Sequence, residues 1–194
     1  MPKSGDAISI LFEVRKGQNF RCVEYGIVLA ATLNSIGISA RTIGLKTEDV
    51  ETTKSGAGHV ATEVYLSDLA KWIFVDPQYG LSPTLNGTPL NAVELNRAMC
   101  DNPQAIKYIN KGGKVSAGAS KRYAKWIAPY LYFFDAVIDN RYIIGRYDRI
   151  RCKGKRVLML VPIGAKNPTV FQIKTELNWC TYTNNIELYY SKPK

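Results

Sequence analysis

Three residues of this 194-residue chain have the types and spacing for covalent chemistry. His59 is the only histidine, in Gly58-His59-Val60-Ala61-Thr62-Glu63-Val64-Tyr65. Cys22 stands 37 positions before it, in Phe20-Arg21-Cys22-Val23-Glu24-Tyr25, and Asp76 stands 17 positions after it, in Trp72-Ile73-Phe74-Val75-Asp76-Pro77. A thiol, an imidazole and a carboxylate are the parts of a nucleophile, its base and the group that orients the base. With one histidine in the chain, a proton shuttle at neutral pH falls to His59.

The elements that must position these groups are legible in part. Phe20 to Ile36 reads as a helix, with Asn19 as N-cap and Glu24 in the first turn. Val23, Ile27, Ala30, Ala31 and Asn34 follow its spacing, and Gly37 is a natural stop. Cys22 then falls in the first turn, where free N–H groups and the helix dipole favour a thiolate. Ile38 to Leu45 alternates like a strand, and Lys46 to Gly58 is a polar loop. Val60 to Leu66 and Trp72 to Val75 are further strands, joined near Ser67-Asp68-Leu69-Ala70. A hairpin turning at Ser67-Asp68 or at Asp68-Leu69 puts His59 and Asp76 on one face, directly opposed or one diagonal apart, about 5 to 8 Å between β-carbons. A slip of one residue would separate them.

Beyond Pro77 the pattern changes. Leu81 to Leu90 reads as a loop, Asn91 to Asn110 as a helix interrupted by Pro103, and Lys111 to Ser120 as a loop. Trp126 to Ile138 is aromatic and apolar, and Val157–Pro162, Thr169–Ile173 and Ile186–Tyr190 read as strands. Gly112-Gly113-Lys114 lacks the full spacing of a phosphate loop.

At this point the chain resembles the transglutaminase-like superfamily. The resemblance rests on Phe20-Arg21-Cys22 opening a helix, a Gly-Ile-x-Ala-Arg strand from Gly37 to Arg41, Gly58-His59 opening a strand that carries Glu63-Val64-Tyr65, and Trp72 to Pro77 closing the next. It covers about residues 8 to 80. It implies an α+β, papain-like core with the cysteine helix packed on an antiparallel sheet. It implies Cys22 as nucleophile, His59 as general base and acid, and Asp76 as the orienting carboxylate. The backbone N–H of Cys22 and the side chain of Gln18 are the expected oxyanion donors, although Gln18 stands four residues upstream, not at the papain-like spacing. Two further departures are plain: Ala61 stands where the family often has tryptophan, and only 21 residues precede Cys22.

Bulk composition sets the frame. Hydrophobic residues make up 46% and charged residues 22%, ordinary for a folded domain. The expected division is a catalytic core over 1–80 and a β-rich, basic part over 81–194 that completes the sheet or forms a small appendage. Net charge is −1 over residues 1–80 and +11 over 81–194. The basic runs are Lys107 to Lys125 and Arg141 to Lys166. Such charge suits an anionic partner, and it also suits a plain solvated face. No stretch approaches a membrane span of about 18 apolar residues, and Met1 to Asp6 lacks a signal-peptide plan, so the cytoplasm is the expected location. Cys22, Cys100, Cys152 and Cys180 contain no Cys-x-x-Cys pair, and one histidine cannot complete a common zinc spacing. No metal or other cofactor is expected, and a Cys152–Cys180 disulfide stays open.

Taken singly, a helical cysteine is most often a small buried hydrophobe, a strand histidine a satisfied polar residue, and Asp-Pro a turn. Glu63, Arg21 and Tyr25 read as structural or solvated. The joint pattern points to a thiol hydrolase or acyltransferase acting on a protein or peptide amide bond. Two other readings compete: acyl transfer of the arylamine N-acetyltransferase kind, and a non-catalytic module that binds through the tyrosine-rich basic half.

Overall fold

A computed structural model describes residues 5–137 and 155–193. Cys152, with any bridge to Cys180, and most of the Arg141 to Lys166 basic run lie outside them. The elements run α1 (Ala7–Arg15), α2 (Cys22–Ser35), β1 (Ala40–Lys46), β2 (Gly58–Leu66), β3 (Lys71–Val75), β4 (Ser82–Leu85), β5 (Thr88–Pro89) and α3 (Ala92–Asp101). They continue through β6 (Ile106–Asn110), β7 (Gly113–Lys114), α4 (Ala117–Ile127), β8 (Phe133–Val137), β9 (Val157–Leu160), β10 (Val170–Phe171), β11 (Thr175–Glu176), β12 (Cys180–Thr183) and α5 (Ile186–Tyr189). The class is α+β. Among the described residues no helix is long and apolar enough to cross a membrane.

The main sheet has six strands in the order β12-β9-β8-β1-β2-β3. Its pairs are antiparallel except β9 with β12, which is parallel, so the sheet is mixed and not purely antiparallel. Strands from beyond residue 80 continue the sheet that β1 to β3 begin. Alternation along the strands makes two distinct faces. Ile43, Leu45, Ala61, Phe74, Phe134, Ala136 and Leu160 share one face and pack against Leu95 and Ala98 of α3 and Tyr123 and Ile127 of α4. On the other face α2 lies against the β1–β3 end, where Ala30 meets Ala40 and Val64. Gly26 allows the close approach: a β-carbon there would sit 3.0 Å from Val60 Cγ1 and 3.3 Å from the Ala61 carbonyl oxygen.

A buried polar pin ties the C-terminal segment to this sheet. Arg41 donates to Glu63 Oε2 through Nη2 (2.7 Å) and Nε (3.1 Å). Its Nη1 donates to the Tyr189 carbonyl at 3.0 Å. Glu63 Oε1 accepts from the Tyr190 hydroxyl at 2.9 Å and from the Ala92 backbone N–H at 3.2 Å. The guanidinium stacks 4.4 Å from the Trp72 ring centroid, and Trp72 Nε1 donates to the Ser191 carbonyl at 3.0 Å. With Glu63 0% exposed, every lone pair it has must be met by protein.

Several sequence expectations are corrected here. The cap of α2 is Arg21, not Asn19, because the Glu24 carboxylate accepts from the Arg21 backbone N–H at 3.0 Å. Asn91 to Asn110 divides at Pro103 into α3 and the strand β6. Ala117 to Ser120 belong to α4, whose N-cap Ser116 accepts from the Ala119 N–H. Ile186 to Tyr189 is a helical turn, not a strand, because Asn185 caps it by accepting from the Leu188 N–H at 2.9 Å. The Leu81–Leu90 loop holds β4 and β5, and Thr169–Ile173 pairs as a strand only over β10.

The pin predicts that Glu63→Gln destabilises the protein by about 3–5 kcal/mol, since it leaves the Arg41 charge buried without a partner. Urea unfolding followed by tryptophan fluorescence measures this. A loss within about 0.5 kcal/mol, the scale of a surface change, would contradict it.

Candidate active site

The β2–β3 register places the base and the carboxylate. Leu66 faces Lys71 and Thr62 faces Val75, so the turn is Ser67 to Ala70. Continued one step, this register sets Asp76 opposite Ala61, one diagonal from His59 and on the same face. His59 Nε2 and Asp76 Oδ2 lie 2.9 Å apart. His59 is 3% exposed and Asp76 0%.

Asp76 closes its own turn. Its Oδ1 accepts from the backbone N–H groups of Gln78 (3.1 Å) and Tyr79 (3.3 Å), an Asx turn of the kind Asp-Pro favours. Its backbone exchanges two hydrogen bonds with Leu81. Its Oδ2 takes a second donor, the Tyr123 hydroxyl, at 2.8 Å. Protein groups thus supply four hydrogen bonds to its side chain.

Cys22 reaches this pair from the first position of α2. Paired β3 stops at Val75, opposite Thr62, so the edge of β2 is open at Val60 and the N-terminus of α2 comes in there. The half-buried thiol lies within reach of the His59 ring and of the main chain of Val60 and Val23, all of which act on its charge. With Nε2 facing Asp76, Nδ1 is the ring nitrogen left for sulfur.

The electrostatics follow from these contacts. Burial alone would push the Cys22 thiol up. The His59 hydrogen bond, the Val60 and Val23 main chain and the imidazolium charge outweigh it, and the thiol is held below its ordinary value. Burial would push His59 down, but hydrogen bonds and charge from Asp76 and Cys22 raise it to about 9. Both shifts run toward a thiolate paired with an imidazolium.

Aromatic rings enclose the imidazole. Trp126 stands edge-on with its centroid 4.9 Å from that of His59, Tyr130 at 6.1 Å and Tyr79 at 6.4 Å. Sequence reasoning missed these residues. The available signal was the spacing of Tyr123, Trp126, Ile127 and Tyr130, a helical stripe in α4 and the turn after it. Gln18 is exposed in the turn between the first two helices, where its N–H donates to the Glu13 carbonyl at 3.2 Å. Arg21 and Tyr25 are exposed, and Glu63 serves the Arg41 pin. Among the described residues no group of three or more His, Cys, Asp or Glu is placed to hold a metal ion.

The pair carries a pH signature. His59 is raised in the folded state, so its stabilisation is complete below its ordinary value of 6.5 and is lost as pH rises through about 9. Cys22 is lowered, so its contribution is present above the ordinary thiol value of 9.0 and is lost as pH falls through the lowered one. Iodoacetamide at pH 6.5, read by peptide mass mapping, is therefore expected to modify Cys22 well before the exposed Cys100. His59→Ala should remove that advantage. Equal rates for the two thiols in the wild-type chain would contradict the ion pair.

Comparison with known proteins gives one result. The model of the transglutaminase-like superfamily matches residues 1–77, the stretch that holds Cys22, His59 and Asp76. No curated protein and no solved structure matches the chain. Over residues 1–77 the chain is thus similar to the core of the transglutaminase-like superfamily.

Proposed function

We propose that the protein is a thiol enzyme that attacks a peptide or amide carbonyl through Cys22, His59 and Asp76. The observation that carries this reading is the buried His59–Asp76 pair, 2.9 Å apart, with the Cys22 thiol at the start of α2 lowered by the His59 ring. The thiolate adds to the carbonyl carbon and forms a C–S bond. The oxyanion takes the N–H of Cys22, one of the unpaired donors at the start of α2. Gln18 is the proposed second donor. Imidazolium His59 gives its proton to the leaving nitrogen, the C–N bond breaks, and a thioester remains on Cys22. Asp76 holds the ring in one orientation and stabilises its charge. Water then attacks the thioester, His59 takes its proton, and the thiolate is regenerated with a carboxylic acid as product. An amine in place of water gives transfer.

Hydrolysis is the leading form, since water needs no separate acceptor site. The positive charge after residue 80 favours acyl donors with acidic groups nearby. The N-terminal family match supports this reading over a binding module, and nothing in the site favours acyl transfer from acetyl-CoA.

A p-nitrophenyl ester tests the reading without knowledge of the natural substrate. A rapid burst of nitrophenol is expected with one acyl group on the Cys22 peptide. Cys22→Ala and His59→Ala should each lower turnover by about 10³-fold or more, and Asp76→Asn by about 10²–10⁴. Added primary amine diverts product from acid to amide if transfer operates. A Cys22→Ala variant as active as the wild type would overturn the proposal.

A further inference from the structure

We infer that Tyr123, which lies outside the matched residues 1–77, is a positioning residue of the site: its hydroxyl fixes the Asp76 carboxylate against His59. The inference rests on the proposed thiol chemistry and extends it to α4. Tyr123 is 5% exposed, and its hydroxyl donates to Asp76 Oδ2 at 2.8 Å, the same oxygen that faces His59 Nε2 at 2.9 Å.

The two Asp76 oxygens are held differently. Oδ1 is fixed by the backbone of its own turn, which survives any side-chain change. The Oδ2 contact is made by two side chains from distant parts of the chain, and Tyr123 is the partner that cannot follow the ring. Its own ring is locked, 5.1 Å from Tyr108, 5.3 Å from Tyr79 and 5.9 Å from Trp126, centroid to centroid. The hydroxyl therefore sets where Oδ2 sits when His59 swings its proton between sulfur and leaving group. It also shares the charge of Oδ2, moderating the pull on the imidazolium. The titratable groups facing this carboxylate are His59 from β2, Tyr79 from the following turn and Tyr123 from α4. Cys22 lies behind His59, and Tyr130 and Tyr108 behind the tyrosines.

Tyr108 supplies a matched control. Its hydroxyl is buried in the same aromatic cluster without a hydrogen-bond partner. Tyr108→Phe and Tyr123→Phe each remove one buried oxygen and keep the ring, and only the second touches Asp76.

The single histidine makes the test direct, because in tag-free protein one imidazole Cε1–H resonance reports His59 alone. Wild-type His59 is followed through its titration by NMR, together with nitrophenyl-ester turnover and thermal unfolding. Tyr123→Phe is expected to move the His59 midpoint upward, since Oδ2 loses a competing donor, and to lower turnover by about tenfold. Tyr108→Phe is expected to leave both unchanged. If wild type shows the raised His59 titration and a reactive Cys22 while Tyr123→Phe alters neither midpoint nor turnover, the inference is overturned and the thiol chemistry stands. If Tyr108→Phe shifts both as much as Tyr123→Phe, general loosening of the cluster explains the effect and the inference is likewise overturned. An unreactive Cys22 and an ordinary His59 in the wild type would instead overturn the proposed function beneath it.

Discussion

A carboxylate with no exposure to water must have its charge answered by protein, and the Asp76 side chain concentrates that demand at one point of this fold. Four donors answer it: the backbone of Gln78 and Tyr79, the His59 ring and the Tyr123 hydroxyl. They come from the turn after β3, from β2 and from α4. Satisfying one side chain thus requires the hairpin to hold its register and α4 to lie on the sheet face that carries the base. The imidazolium follows from the same demand, since a protonated ring is the partner that a buried carboxylate stabilises most. The lowered thiol is the last link, because the imidazolium charge and the start of α2 both favour sulfur as an anion.

Another buried acid, Glu63 on β2, is met differently. Arg41 neutralises it, and the Tyr190 hydroxyl and the Ala92 N–H complete it. A fixed guanidinium leaves it no chemistry to do. Its effect is to anchor α5 and the chain end against Trp72, which supports β3 just before Asp76. Two acids on neighbouring stretches of the same sheet face are separated in role by the partner each one meets: a ring that can move a proton, or a cation that cannot.

The N-terminal third was largely legible from sequence. Alternation in Val60–Leu66 and Trp72–Val75 demanded a hairpin, and either allowed turn put His59 and Asp76 on one face. The first-turn position of Cys22 followed from helical spacing. The exact cap did not, because Glu24 reaches back to Arg21 and overrides the preference of Asn19 for that role. Later in the chain, local signals misled where tertiary packing decides. Ile186–Tyr190 has strand-forming residues, yet Asn185 starts a helical turn that the Arg41 contact to Tyr189 holds. The start of α4 is Gly- and Ser-rich and reads as loop, while Ser116 caps it. The aromatic wall around His59 was hidden for the same reason. Its rings are spaced as a helix stripe, and without that helix nothing tied Trp126 or Tyr123 to residues 59 and 76.

The proposed chemistry requires Cys22 and His59 to meet, and a bifunctional alkylating agent with a three-carbon reach measures that meeting directly. Treated with 1,3-dibromoacetone at neutral pH, the protein is predicted to yield a covalent bridge joining the Cys22 peptide to the His59 peptide, seen by mass spectrometry after digestion. Single-site alkylation of Cys22 with an unmodified His59, at every reagent concentration, would contradict the account.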